Sequence, residues 1–567
     1  MNRFTRRNFI KAALAATGGV VVSTPLQAMT RPELPSAVTF RHGVASGDPL
    51  QDAVILWTRA TPAEGSAPAG PAEPVKVTWE LARDRQFTDV LRRGSADTDL
   101  ARDYTIKIDV QGLQPGTSYF YRFVGAGEQS TVGHTRTLPA AGVDQVKLAV
   151  FSCSNYPAGH FNAYQLAAQS DDWDAVLHLG DYIYEYPADG YATERSAEIG
   201  RALPEDNGGE ILTLTDYRKR YALYRTDAGL QALHAAAPFI AVWDDHEVAN
   251  DTWKAGAENH SPDEGDFFAR RAAAVQAYYE WLPIRPPMGE RHPQIYRSFS
   301  FGDLLDLHML DTRVIGRDAQ IDFAGYIGED GSFDGRAFAA ALADPARSLL
   351  GQKQRAWLER TLEKSSGHWQ LLGQQVLMGR MHLPAEIMMN YASGGKRPDT
   401  TAELVGFKAA SLKGEPLSES QRARLQQVVP YNLDAWDGYS VEREALYRRA
   451  RELQKNLVVV AGDTHNAWFN HLKDARGNMV GLEFAAPSVT SPGMETYLTL
   501  DEKSAQELAR GMPVLIDELQ YCNLHQRGYM ALTFRREQVQ AEWKFVDNID
   551  STEFAEAGSH SVVHSLV

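Results

Sequence analysis

At 567 residues, with 44% hydrophobic and 23% charged side chains, the chain holds enough apolar material for two domains and is too apolar for a disordered or fibrous protein. Its net charge of −16 and pI near 5.5 repel nucleic acid and anionic membrane surfaces. A phosphate-bearing ligand therefore needs local positive charge, from metal ions or arginine.

Residues 1–28 read as a targeting leader. Arg3, Arg6, Arg7 and Lys11 precede an apolar run, Ala12 to Val22, that is too short to span a bilayer, and Leu26-Gln27-Ala28 offers a small-residue cleavage site. Thr5-Arg6-Arg7-Asn8-Phe9-Ile10-Lys11 resembles the twin-arginine motif, which predicts passage of a folded, cofactor-loaded protein through the twin-arginine translocation machinery to the periplasm or medium. No transmembrane anchor is expected. From Thr39 to about Leu138, short alternating runs such as Val75-Lys-Val-Thr-Trp79 and Ser118-Tyr-Phe-Tyr-Arg-Phe-Val124 predict an all-β, fibronectin-like sandwich, with Tyr119 packed over a corner.

After Pro139 the texture changes. Compact apolar strands, among them Lys147 to Ser152, Ala175 to Leu179, Phe239 to Trp243, Leu304 to Leu310, Trp369 to Leu372 and Leu457 to Ala461, alternate with helical runs and predict an α/β domain over 146–548. Ala188 to Gly209, Arg317 to Ala346 and Arg380 to Tyr439 interrupt the rhythm as long loops, the last with helices of its own. The polar tail 549–567 is expected to fray.

Four polar motifs follow apolar strands: Phe151-Ser-Cys-Ser-Asn155, His178-Leu-Gly-Asp-Tyr-Ile-Tyr184, Trp243-Asp-Asp-His-Glu247 and Gly462-Asp-Thr-His465. Asp or His after one strand is commonly a turn former or helix cap, but four sets of metal-capable side chains in series point to one site at a sheet edge. Asp245 and Asp463 are hard oxygen donors suited to calcium or magnesium. Thiolate from Cys153, phenolate from Tyr184 and imidazole from His465 suit a transition ion such as ferric iron, with zinc also compatible, and Asp181 is placed to bridge. The second cysteine, Cys522, lies far from any motif, which favours a metal thiolate at Cys153 over a disulfide.

The motif order resembles the metallophosphoesterase series Asp-x-His, Gly-Asp-x-x-Asp or Tyr, Gly-Asn-His-Glu and Gly-His-x-His. Cys153 and Asn155 stand at the first Asp and His, Tyr184 is spaced from Asp181 as in purple acid phosphatases, and Asp245 and Asp463 are replacements found in the PhoD-like alkaline phosphatase family. Arg41-His-Gly-Val-Ala-Ser-Gly-Asp-Pro-Leu50, Leu310-Asp-Thr-Arg313 and Asp434-Ala-Trp-Asp-Gly-Tyr439 resemble further landmarks of that family. The resemblance implies a layered metallophosphoesterase sheet sandwich with flanking helices, Fe3+ and Ca2+ as cofactors, and hydrolysis of a small phosphate ester, monoester or diester. It also implies acid work at the leaving oxygen for His246. Arg313 is either a bidentate grip on phosphate or a salt bridge to Asp311. Asn155 and Asn250 either offer amide oxygens to calcium or phosphate or shape turns. A phospholipase D-like diesterase and a non-catalytic surface-binding protein are the alternative readings.

Overall fold

The computed structural model describes residues 38–62, 74–170, 172–287, 293–330, 332–392 and 399–566. The leader reading for residues 1–28 lies outside them. Two large sheets face one another. The first has nine strands in the order Glu556–Ser565, Gln538–Val546, Arg527–Arg535, Gln145–Phe151, Ala175–His178, Phe239–Ala241, Val44–Gly47, Ala53–Arg59 and Thr105–Gln111. The second has seven: Arg297–Phe301, Leu305–Met309, Trp369–Gly373, Asn456–Ala461, Met479–Ala485, Ala467–Lys473 and Leu519–Asn523.

The apolar strands are uninterrupted because they are covered on both faces. In Asn456–Ala461, Val458 and Val460 enter the core between the sheets with Leu148, Val150 and Leu177. Leu457, Val459 and Ala461 point the other way, to a second core with Leu358 and Leu362 of the helix Gly351–Lys364 and Leu446 and Tyr447 of the helix Ser440–Glu452. Strand alternation thus serves two cores at once. Each buried leucine or valine contributes roughly 1.5–3 kcal/mol of transfer free energy.

The amino-terminal sandwich shares a sheet with the α/β unit. Its separate layer comprises Gly133–Arg136, Ser118–Gly125, Val75–Ala82 and Val90–Thr98, with Glu128–Gln129 at the side. Its opposite layer is the far end of the nine-stranded sheet, joined where Gly47 pairs in parallel with Phe239. Val54 and Leu56 face the sandwich core, while Trp57 on the same strand faces the inter-sheet core and its indole N–H donates to Glu280 O at 2.8 Å. The Tyr119 hydroxyl accepts from Gln114 N at 2.9 Å, which fixes the corner.

Two expectations are corrected. The four motifs do not share one sheet: the first three follow parallel strands of the nine-stranded sheet, and Gly462-Asp-Thr-His465 follows a strand of the facing one. The tail does not fray. Glu556–Ser565 pairs antiparallel with Gln538–Val546 as an edge strand, and His560 stacks on Tyr521 at 3.7 Å. Its polarity reflects a solvated edge rather than disorder. Of the long loops, Arg380 to Tyr439 includes the helices Ala385–Ala392, Thr400–Leu412 and Glu419–Gln426. Among the described residues no helix is long and apolar enough to cross a membrane.

Candidate metal centre and active site

The sheets meet where their parallel strands end, and Ser152 and Ser488 form a bridge between the two segments. Two glycines permit the approach. A Cβ on Gly180, at φ 108°, would lie 2.4 Å from Asp244 Cβ, and one on Gly462 would lie 2.6 Å from Ser152 Cβ. Around them Cys153, Asp181, Asp463 and His465 all adopt left-handed backbone, with φ of 60°, 54°, 61° and 60°. Four non-glycine residues in that region within one cluster mark a strained, over-determined site.

One donor atom from each of Cys153, Asp181 and His465 lies within 4.8 Å of the others, and the same holds for Asp181, Asp245 and His246, and for Asp244, Asp245 and Asp463. Asp181 belongs to two sets. Its Oδ2 accepts from the Tyr184 hydroxyl at 3.0 Å, while its buried Oδ1 has no partner. Ser491 Oγ donates to the Tyr184 hydroxyl at 2.6 Å, so the phenol is held from both sides. His465 Nδ1–H donates to Pro492 O at 2.6 Å, which turns the lone pair of Nε2 toward Tyr184 and Asp181. Burial lowers the His465 imidazole to about 4 and so favours the neutral ligand form.

The carboxylates are crowded. Burial raises Asp181 well above the usual carboxylate range, further lifted by Asp245 and Glu247 against an opposing His246. Burial also pushes Asp463 up to about 7 despite Arg313. Burial raises the Cys153 thiol strongly, with Asp181 adding to it. Asp245 differs: burial would raise it, but Arg313 and His246 hold it below the ordinary value. Such a nest of acids with orphaned oxygens at Asp181 Oδ1 and Asp244 Oδ2 fits bound cations, which would satisfy both charge and lone pairs. A cavity of about 300 Å3 opens onto Asp181, Asp245, His246, Asn250, Asp463 and His465.

Residues 148–543 match the PhoD-like phosphatase family, and residues 27–139 match the N-terminal domain of PhoD-like phosphatases. The chain belongs to the PhoD-like phosphatase family. It is 34% identical over 562 residues to alkaline phosphatase D of Bacillus subtilis (strain 168), covering 96% of this chain and 84% of that protein. A solved structure of PhoD superimposes with a TM-score of 0.73 at 31% identity, covering 95% of this chain and 92% of that one.

Within this PhoD-like phosphatase the remaining sequence candidates take distinct places. His246 Nδ1–H donates to Glu185 Oε2 at 2.7 Å, and its ring lies 4.2 Å from that of Tyr184. Burial alone would lower the imidazole, but Glu185, Asp181 and Asp245 raise it well above its ordinary value. Asn250 lines the cavity, its backbone N–H donating to Glu185 and its amide to Glu258 at 3.1 Å. Asn155 points its amide at Tyr191 O, 3.4 Å away, leaves its buried Oδ1 unpartnered, and lies outside the cavity lining.

Arg313 does not reach the cavity as a phosphate grip. It is fully buried, with Nε 2.5 Å from Asp244, Nη1 2.8 Å from Asp434 and Nη2 2.6 Å from Asp463, so its fork is already filled by carboxylates. Nor is Asp311 its salt-bridge partner, since that carboxylate accepts the Arg313 and Val314 backbone N–H groups instead. Cys153 and Cys522 are both buried and not disulfide-bonded. Gln375 packs the backbone, spanning Thr312, Trp243 and Leu310. His178, bonded to the Tyr164 hydroxyl at 2.7 Å, and His308, between Ser298 and Gln370, are core histidines.

Several participants escape a sequence reading. Glu247 lies in the third motif, but its role as a staple is visible only in three dimensions: it accepts the N–H groups of Asp181 at 3.0 Å, Tyr182 at 2.7 Å and Asp244 at 2.8 Å, tying the second motif to the third. Glu185 directly follows Tyr184, a signal that could have found it. Asp251, Tyr191 and Tyr497 line the cavity from segments without any metal-like spacing.

Proposed function

We propose that this phosphatase is an exported, periplasmic or secreted enzyme that hydrolyses small phosphate esters with two kinds of cation. Fe3+ is assigned to Cys153, Tyr184 and His465, and Ca2+ to Asp245 and Asp463 with Asn250 at its edge, with Asp181 shared between them. The observation that carries this reading is the unpartnered Asp181 Oδ1 within a carboxylate common to two donor sets, one with Cys153 and His465 and one with Asp245 and His246. Export rests on the twin-arginine leader, whose pathway suits a protein loaded with metal before transport.

Bound cations would neutralise the phosphate and acidify a water to serve as nucleophile. The protein's own groups do the rest. His246, fixed through Nδ1 by Glu185, holds a proton at Nε2 and faces the cavity, where it serves the departing alkoxide as acid. Arg313 positions Asp244, Asp434 and Asp463 without touching substrate. Elemental analysis of enzyme exported through its own leader, together with turnover of nitrophenyl phosphate and its bis ester by Asp181→Ala, tests the reading. Absence of iron overturns the Cys153 and Tyr184 assignment, and full activity in the variant overturns the shared carboxylate.

A further inference from the structure

The cavity has two chemically different parts. Its deep part is acids and imidazoles. Its mouth is three phenol rings: Tyr186 and Tyr191 from the loop after the second motif, and Tyr497 at the end of the short helix Met494–Tyr497. No lysine or arginine lines it among the described residues.

The rings form one assembly. The Tyr191 and Tyr497 hydroxyls are 2.7 Å apart, a bond between segments separated by about 300 positions. Tyr191 lies 5.6 Å from Tyr186 and stacks at 6.0 Å and 25° on Tyr184, and Tyr186 sits 5.3 Å from His246. Tyr497 is 61% exposed, yet it is held in place: Met494 N donates to Asn466 Oδ1 at 3.0 Å, and Glu495 pairs with Arg527. A large ring kept in water beside a reactive centre is an unspent apolar face. His246 borders these rings at Tyr186, so on the acid role proposed for it the group leaving from phosphate departs beside them.

We infer that Tyr186, Tyr191 and Tyr497 form the leaving-group subsite, selecting phosphate esters whose alcohol carries an aromatic ring. Offset or edge-to-face contact with the phenols recognises the ring. This rests on the phosphatase reading and names the substrate class for that site.

The test uses metal-loaded enzyme and compares phenyl phosphate with butyl phosphate in wild type, Tyr497→Ala and Tyr497→Phe. Differences in leaving-group reactivity cancel when each ester is compared with itself across variants. Losing one ring contact is expected to lower kcat/KM for phenyl phosphate about tenfold, mainly through KM, and to lower it for butyl phosphate several-fold less. Tyr497→Phe, which keeps the ring and loses the hydroxyl bond, is expected to retain the preference for the phenyl ester. Equal losses on both esters in Tyr497→Ala, or no loss on either, overturn the subsite, as does a preference abolished equally by Phe. A wild-type enzyme inactive on both monoesters and on bis(nitrophenyl) phosphate would instead overturn the phosphatase reading beneath it.

Discussion

Arg313 offers a quantitative test of how the acidic centre is held. Its guanidinium contacts Asp244, Asp434 and Asp463 at 2.5, 2.8 and 2.6 Å and stands 3.8 Å from Asp245, and all of it is buried. At an effective dielectric near 20, a charge pair about 4 Å apart is worth about 4 kcal/mol, but desolvation opposes that gain. Removing one partner of a buried pair typically costs roughly 3–5 kcal/mol, because the charges left behind have nothing to face. Arg313→Met keeps the length of the side chain and deletes its charge. Equilibrium urea unfolding of chelated enzyme, followed by tryptophan fluorescence, is expected to show a loss of about 3–5 kcal/mol. The loss should shrink in metal-loaded enzyme, where cations take over part of the charge. Arg313→Lys should fall between, since a single ammonium cannot span three carboxylates. A chelated Arg313→Met enzyme within about 1 kcal/mol of chelated wild type would refute the reasoning.

Further outcomes follow from other residues. Cys153→Ser should retain the fold and lose iron, read by elemental analysis and by disappearance of any thiolate or phenolate charge-transfer band; unchanged iron content would count against the thiolate ligand. Gly180→Ala must place a Cβ 2.4 Å from Asp244 at φ 108°, so a loss of at least roughly 1–3 kcal/mol and loss of activity are expected by thermal melting and turnover. Burial lowers His178 to about 3, and burial with Arg59, Arg41 and Arg225 lowers His42 to about 2. Both folded values lie below the unfolded 6.5, so their stabilisation is complete above pH 6.5 and falls with acid, by about 1.4 kcal/mol per pH unit for each histidine. Urea midpoints at pH 7 and pH 5 should differ less in His178→Gln than in wild type; identical differences would refute this.

Much of the site was legible because metal donors sit directly after short apolar strands, where an α/β fold exposes its chemistry. Cys153, Asp181, Asp245 and His465 could be singled out for that reason. The sheet sandwich came with the family resemblance, but which sheet carries each motif was not legible, since a strand covered on both sides reads the same in either sheet. Arg313 illustrates another limit: its partners Asp434 and Asp463 are more than a hundred positions away, and an arginine reserved for phosphate looks identical in sequence to one already filled with carboxylates. Tyr191 and Tyr497 lacked any spacing signal. The last strand was misread because a solvated edge has no apolar face to announce it.

The shared nine-stranded sheet also sets the order of events during synthesis. Gln145–Phe151, near its centre, pairs on one side with Ala175–His178, which follows soon after, and on the other with Arg527–Arg535, made almost last. Val44–Gly47 similarly waits for Phe239. Closing such long loops is slow, and until the late strands arrive the nascent chain carries open hydrogen-bonding edges able to pair with neighbours. The sheet is completed only when nearly the whole polypeptide has left the ribosome. The twin-arginine export proposed above takes only finished cargo and would give a chain of this topology the time it demands, while a route threading it unfolded would require the same long-range closures to be made again outside the cell.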